Sequence, residues 1–125
     1  MAERELAGLR VLVVEDEGPV AMLIEDMLED LGCVLAGSAA RVGEALELVA
    51  AGGFDFALLD MNLAGERIDP VAEALSSRGV PFAFASGYGR LGAPERMRRR
   101  PMLQKPFRSS DLAATIRAAL GPDGA

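Results

Sequence analysis

The sequence predicts an α/β domain, a parallel β-sheet with helices packed on both of its faces. Two observations predict the class. Short apolar runs, often β-branched, alternate with stretches whose apolar residues recur at helical spacing. Polar residues of chemically useful kinds stand directly after several of the runs, where the strands of such a sheet end. A third observation sets the scale: at 125 residues and 50% hydrophobic, the chain can fill one packed core.

The first run, Val11, Leu12, Val13 and Val14, has the pattern of a strand covered on both faces, and it stops at Glu15, Asp16 and Glu17. Val20, Leu23, Ile24, Met27, Leu28 and Leu31 then follow helical spacing, with Glu25, Asp26, Glu29 and Asp30 opposite and Gly32 as the stop. Residues 33–38 read as a second strand. Residues 42–51 read as a second helix, with Val42, Ala45, Leu46 and Val49 facing inward and Gly52 and Gly53 ending it. A third strand over residues 54–59 ends at Asp60, and a third helix is expected over 70–77. Arg78 and Gly79 then turn the chain into a fourth strand, residues 80–85, which ends at Ser86. The glycine-rich stretch 87–94 leaves room for only a short or irregular fourth helix before a fifth strand at 101–104. Ser109, Ser110 and Asp111 suit a helix start, and Leu112, Ala113, Ile116 and Leu120 share one face of the helix that follows.

Short connections between alternating strands and helices force right-handed crossovers, which place the helices on both faces of the sheet. No linker or second compositional regime appears, so the expectation is one domain over residues 1–125 without an output domain. A formal net charge of -6 argues against a surface that grips nucleic acid throughout, and no DNA-binding domain is expected. The single cysteine, Cys33, excludes an internal disulfide and sits in an apolar run that suits a core thiol. No run approaches the roughly 20 apolar residues of a membrane span, and the first nine residues lack a signal-peptide core, so the cytoplasm is the default location.

Chemistry is expected to converge at the carboxyl edge of the sheet. The first strand delivers Glu15 and Asp16, the third Asp60, the fourth Ser86 and the fifth Lys105, the sole lysine among 13 cationic residues. Two carboxylates about 4 Å apart repel by about 4 kcal/mol at an effective dielectric near 20, so three gathered together must take up protons or hold a cation. Magnesium, which prefers carboxylate oxygens, waters and a substrate phosphate, fits that donor set. A carboxylate such as Asp60 can then attack phosphorus, with Lys105 supplying a point charge and the Ser86 hydroxyl a hydrogen bond to the phosphoryl oxygens. Pro106, directly after Lys105, stiffens the loop that carries it.

These residues carry a family resemblance. Val11-Leu12-Val13-Val14-Glu15-Asp16-Glu17, Leu58-Leu59-Asp60-Met61-Asn62-Leu63, Phe84-Ala85-Ser86-Gly87-Tyr88 and Gln104-Lys105-Pro106-Phe107 resemble, in order, the four signature segments of response-regulator receiver domains of two-component signalling. The resemblance covers nearly the whole chain. It implies the flavodoxin-like, CheY-like strand order 2-1-3-4-5. It also implies Asp60 as phosphoacceptor, Glu15, Asp16, Asp60 and the backbone carbonyl of Asn62 as magnesium ligands, and Ser86 and Lys105 as phosphate-sensing groups. The implied donor is a sensor histidine kinase or a phosphotransfer protein.

Three departures matter. Glu15 replaces the commoner aspartate, Ser86 stands where threonine is frequent, and Met102 takes the place of the aromatic residue that many receivers use as a switch. Phe84-Ala85-Ser86-Gly87-Tyr88-Gly89 is similar to the Phe-Ala-Thr-Gly motif of a stand-alone receiver subgroup associated with HWE or related histidine kinases. The expected switch surface accordingly comprises Gly87, Tyr88, Gly89, Met102, Pro106 and Phe107. Its output is expected to be contact with a downstream protein.

Other patterns dissolve on inspection. Gly87-Tyr88-Gly89-Arg90-Leu91-Gly92 satisfies a dinucleotide pattern, but that pattern belongs after the first strand and must open a helix, which Pro94 discourages. Asp60, Asn62 and Gly65 fit part of a calcium loop, yet Ala64 and Val71 stand where an oxygen ligand and the bidentate glutamate belong. Arg98, Arg99 and Arg100 read as a solvated basic patch. There are two rival functions: an adaptor that binds its partner without phosphorylation, and a magnesium-dependent phosphatase, which shares much of the chemistry but whose nucleophile would follow the first strand instead of the third.

Overall fold

The structure is a computed structural model that describes residues 6–63, 65–86 and 101–121. Chain order is β1 (Arg10–Val14), α1 (Gly18–Asp30), β2 (Val34–Ala39), α2 (Val42–Ala51), β3 (Phe56–Asp60), β4 (Asn62–Leu63), β5 (Glu66–Arg67), α3 (Asp69–Ser77), β6 (Phe82–Ser86), β7 (Met102–Gln104) and α4 (Ser109–Leu120). Five strands form one sheet in the order β2-β1-β3-β6-β7, and every pairing in it is parallel. With the small β4–β5 ribbon set aside, this is the expected order 2-1-3-4-5.

Alternation along the strands divides the core. Val11 and Val13 of β1, with Leu58 of β3, pack against Ile24, Met27 and Leu28 of α1 and Leu112, Ala113 and Ile116 of α4. Leu12 and Val14, with Leu59, face Ala45 and Val49 of α2 and Val71, Ala72 and Leu75 of α3. Both faces of the sheet are therefore dry, which is why its central strands read as unbroken apolar runs. Phe82 and Phe84 of β6 meet edge to face at 5.6 Å between ring centroids.

Several expectations are corrected. Helix α1 begins at Gly18, because Pro19 suits the first turn, where no amide donor is required. Leu23, read as inward, is 54% exposed beside Met22 at 66%; the stripe that packs is narrower than the apolar pattern. Strand β2 lies at the sheet edge with a bulge opposite Val11 and Leu12, so Val34 and Leu35 stay exposed although the run is apolar. Strand β3 starts at Phe56, two residues late, because Asp55 instead binds Arg10. The α4 cap is Arg108, and Asp111 accepts its backbone N–H at 2.9 Å, so neither serine caps the helix. Leu6 and Leu9, in a segment that shows no pattern, are buried in the α1/α4 core, and the Cys33 thiol donates to the Leu6 carbonyl at 3.6 Å. Burial raises the pKa of that thiol. The expected fourth helix, Gly87, Tyr88, Gly89 and the three arginines at 98–100 lie outside the described residues.

Candidate metal centre

The parallel register brings the strand ends together. Val14 pairs with Leu59 and Asp60 with Ala85, so Glu15, Asp60 and Ser86 fall on one edge. The chain is held there by its backbone: Glu15 N–H donates to the Ala39 carbonyl, Met61 N–H to the Ala85 carbonyl and Lys105 N–H to the Ser86 carbonyl, each at 2.9 Å. The last of these sets the proposed phosphate-sensing pair on adjacent strands.

Carboxylate oxygens of Glu15, Asp16 and Asp60 all lie within 4.8 Å of one another. Glu15 is 3% exposed and Asp60 5%, while Asp16 is half-buried. Lys105 reaches between them, with Nζ 2.9 Å from Glu15 Oε1 and 3.4 Å from Asp60 Oδ2. The other oxygen of Glu15 accepts the Glu17 N–H at 3.3 Å. Burial alone would lower the Lys105 pKa, but the hydrogen bond to Glu15 and the charges of Asp60 and Glu15 outweigh it, and the pKa is raised.

Among the described residues, three carboxylates thus gather around one ammonium that pairs with two of them. A hard divalent cation relieves the excess negative charge, and an all-oxygen donor set is what magnesium takes. The residues present fit such an ion. Asn62, expected to add its carbonyl, opens β4 and pairs with Arg67 of β5. Met102 is half-buried and packs against the α2/α3 core.

Pro106 and Phe107 line a groove of about 310 Å³ together with Val20, Leu23, Ile24 and Lys105. It is nearly all apolar, and it opens beside the acidic pocket through the shared Lys105. Sequence reasoning missed this groove because it placed Leu23 in the core. It also missed the β4–β5 ribbon, for which Gly65 at φ +82°, a conformation that favours glycine, was the one available signal.

A doubly wound parallel sheet whose carboxyl edge gathers three acids and a last-strand lysine defines the receiver class of signalling domains. The chain belongs to the response regulator receiver domain family, whose model matches residues 11–117. The receiver family is one of signalling rather than catalysis. SdrG from Sphingomonas melonis Fr1 superposes with a TM-score of 0.83 at 44% identity, covering 91% of this chain and 98% of SdrG. A BeF3-activated conformation of SdrG from Pseudomonas melonis Fr1 gives a TM-score of 0.78 at 45% identity, over 91% of this chain and 97% of that one. The phyllosphere-induced regulator PhyR of Methylorubrum extorquens is 30% identical over 126 aligned positions, and the match covers 95% of this chain and 47% of PhyR. The chain therefore spans about half the length of that curated relative. Among the described residues no helix is long and apolar enough to cross a membrane.

Proposed function

We propose that the protein is a phosphorylation switch in which Asp60 accepts a phosphoryl group, with magnesium held by Glu15, Asp16, Asp60 and the Asn62 carbonyl. The observation that carries this reading is the gathering of acids at the sheet edge: among the described residues, three carboxylates lie within 4.8 Å of one another, with Lys105 bridging two of them.

An Asp60 carboxylate oxygen forms a bond to phosphorus as the P–N bond to a donor histidine breaks, and the electron pair of that bond stays with the imidazole. Held by Glu15, Asp16, Asp60 and the Asn62 carbonyl, magnesium would supply positive charge to offset that of the transferring group. Lys105, already 3.4 Å from Asp60, then pairs with phosphoryl oxygens, and the Ser86 hydroxyl, on the strand beside β3, donates to them. The added charge draws in Ser86 and the segment that follows it, changing a surface that includes Gly87, Tyr88, Gly89, Met102, Pro106 and Phe107.

A protein donor, a histidine kinase of the HWE or a related type or a phosphotransfer protein, is supported by the apolar groove next to Lys105 and by the exposed Leu23 that lines it. The output is contact with a downstream protein. That a relative adopts a BeF3-activated conformation supports the switch, since BeF3 mimics a phosphoryl group on a carboxylate.

The test is intact-mass measurement after incubation with acetyl phosphate and magnesium. One phosphoryl adduct is expected on the wild type and none on Asp60→Asn. Equal labelling of the two proteins overturns Asp60 as acceptor. No labelling of either favours the phosphorylation-independent adaptor, and sustained turnover of small phosphate esters favours the phosphatase.

A further inference from the structure

The β4–β5 ribbon lies between the phosphoacceptor and α3, and it pairs with no strand of the main sheet. A two-stranded ribbon this short is marginal by itself. Its backbone carries Asn62, paired with Arg67, while Leu63 pairs with Glu66. Leu63 is fully buried in the α2/α3 core and fastens one strand. The other strand is fastened electrostatically. Glu66 Oε1 accepts the Val42 N–H at 3.0 Å and lies 3.5 Å from Arg41 Nε. Val42 is the first residue of α2, and Arg41 at the N-cap offers no side-chain hydrogen bond, so a carboxylate from 24 residues away satisfies an amide that the helix itself leaves open. An anion at that position also meets the positive end of the helix dipole.

We infer that Glu66 is a positioning residue for the metal centre: by tying the ribbon to the N-terminus of α2, it holds the Asn62 carbonyl where the ion needs it. The inference rests on the reading of Asp60 and Asn62 as metal ligands. By linkage, the contact works in both directions, so filling the metal site reports at the Val42 amide.

The experiment is a magnesium titration followed by amide NMR on the full chain, for the wild type, Glu66→Ala, Glu66→Gln, Asp60→Asn and Asp55→Ala. Partners that orient a metal ligand typically change affinity by 10- to 100-fold. Glu66→Ala is expected to weaken magnesium binding about tenfold and to remove the magnesium-dependent shift at Val42. Glu66→Gln keeps an oxygen that can accept the Val42 N–H and should stay within about threefold of wild type, a rescue that a loss of general stability would not produce. Asp55→Ala, which breaks an ion pair at the far edge of the sheet, should bind as wild type does. Wild-type affinity in a folded Glu66→Ala, or an equal loss in the alanine and glutamine variants, overturns the inference while leaving the metal centre intact. A wild type that binds no more tightly than Asp60→Asn overturns both.

Discussion

The two ends of β1 and β3 carry the same kinds of group and use them differently. At the amino edge, Arg10 and Asp55 form a matched pair: the guanidinium donates to both carboxylate oxygens at 3.0 and 3.2 Å, and the Arg10 backbone N–H adds a third bond at 2.9 Å. The pair is exposed, balanced and complete. At the carboxyl edge Glu15 and Asp60 are buried, Asp16 is beside them, and Lys105 pairs with two of the three. A balanced exposed pair has nothing left to bind, whereas a buried cluster with more acids than the cations described beside it suits a further cation. The proposed function places the chemistry at the second.

The comparison breaks most readily at Lys105. Lys105→Ala leaves Glu15 and Asp60 buried without their ammonium, and it should lower metal-free stability at neutral pH by about 2–3 kcal/mol, less than a fully buried pair because Lys105 is partly exposed. Denaturant unfolding with and without magnesium checks it: the ion should restore much of the loss. If the variant is as stable as wild type in metal-free buffer, the carboxyl edge is not under the strain described. The pH dependence has a definite sign. Because the folded pKa of Lys105 is raised, its contribution is fully present below the unfolded lysine value, about 10.4, and fades as pH rises through the folded value.

Asp60→Asn sharpens the contrast. Magnesium at about 100 times its Kd should stabilise the wild type by about 2.7 kcal/mol and the variant far less. Equal stabilisation of both would place the ion elsewhere.

The smallest effect belongs to the amino edge. Arg10 holds the Asp55 pKa below the usual carboxylate range through its side-chain and backbone hydrogen bonds. That stability is present above the unfolded aspartate value, about 3.9, and is lost as pH falls through the folded value. Exposure and salt screening keep it below about 1 kcal/mol, so Asp55→Asn should flatten the acid limb of the stability curve only slightly and leave magnesium binding unchanged. A large loss of stability would mean that the edges are less different than their burial indicates.

How much of this could be read in advance follows from what makes each feature. Buried parallel strands are apolar along most of their length, so β1, β3 and β6 announce themselves, and the polar residues at their carboxyl ends, Glu15, Asp60 and Ser86, mark the edge where chemistry collects. The strand order came from family resemblance, since periodicity does not tell an edge strand from a central one; β2 is as apolar as its neighbours yet leaves Val34 and Leu35 exposed. Helical spacing placed Ile24 and Leu28 correctly and Leu23 wrongly, because apolar residues that line an open groove follow the same rule as those that fill a core. The β4–β5 ribbon has strands of two residues each, too short for a period of two to show. Glu66 is one acid among many in the sequence and gains a role only through a helix start 24 residues away.

Borohydride reduction after labelling tests the central claim most directly, because it converts an acyl phosphate to the corresponding alcohol and peptide mass mapping then locates it. After acetyl phosphate and magnesium, the reduced residue should be Asp60 alone, and chelation of magnesium should suppress it. Reduction at Glu15 or Asp16, or labelling indifferent to magnesium, would contradict the account.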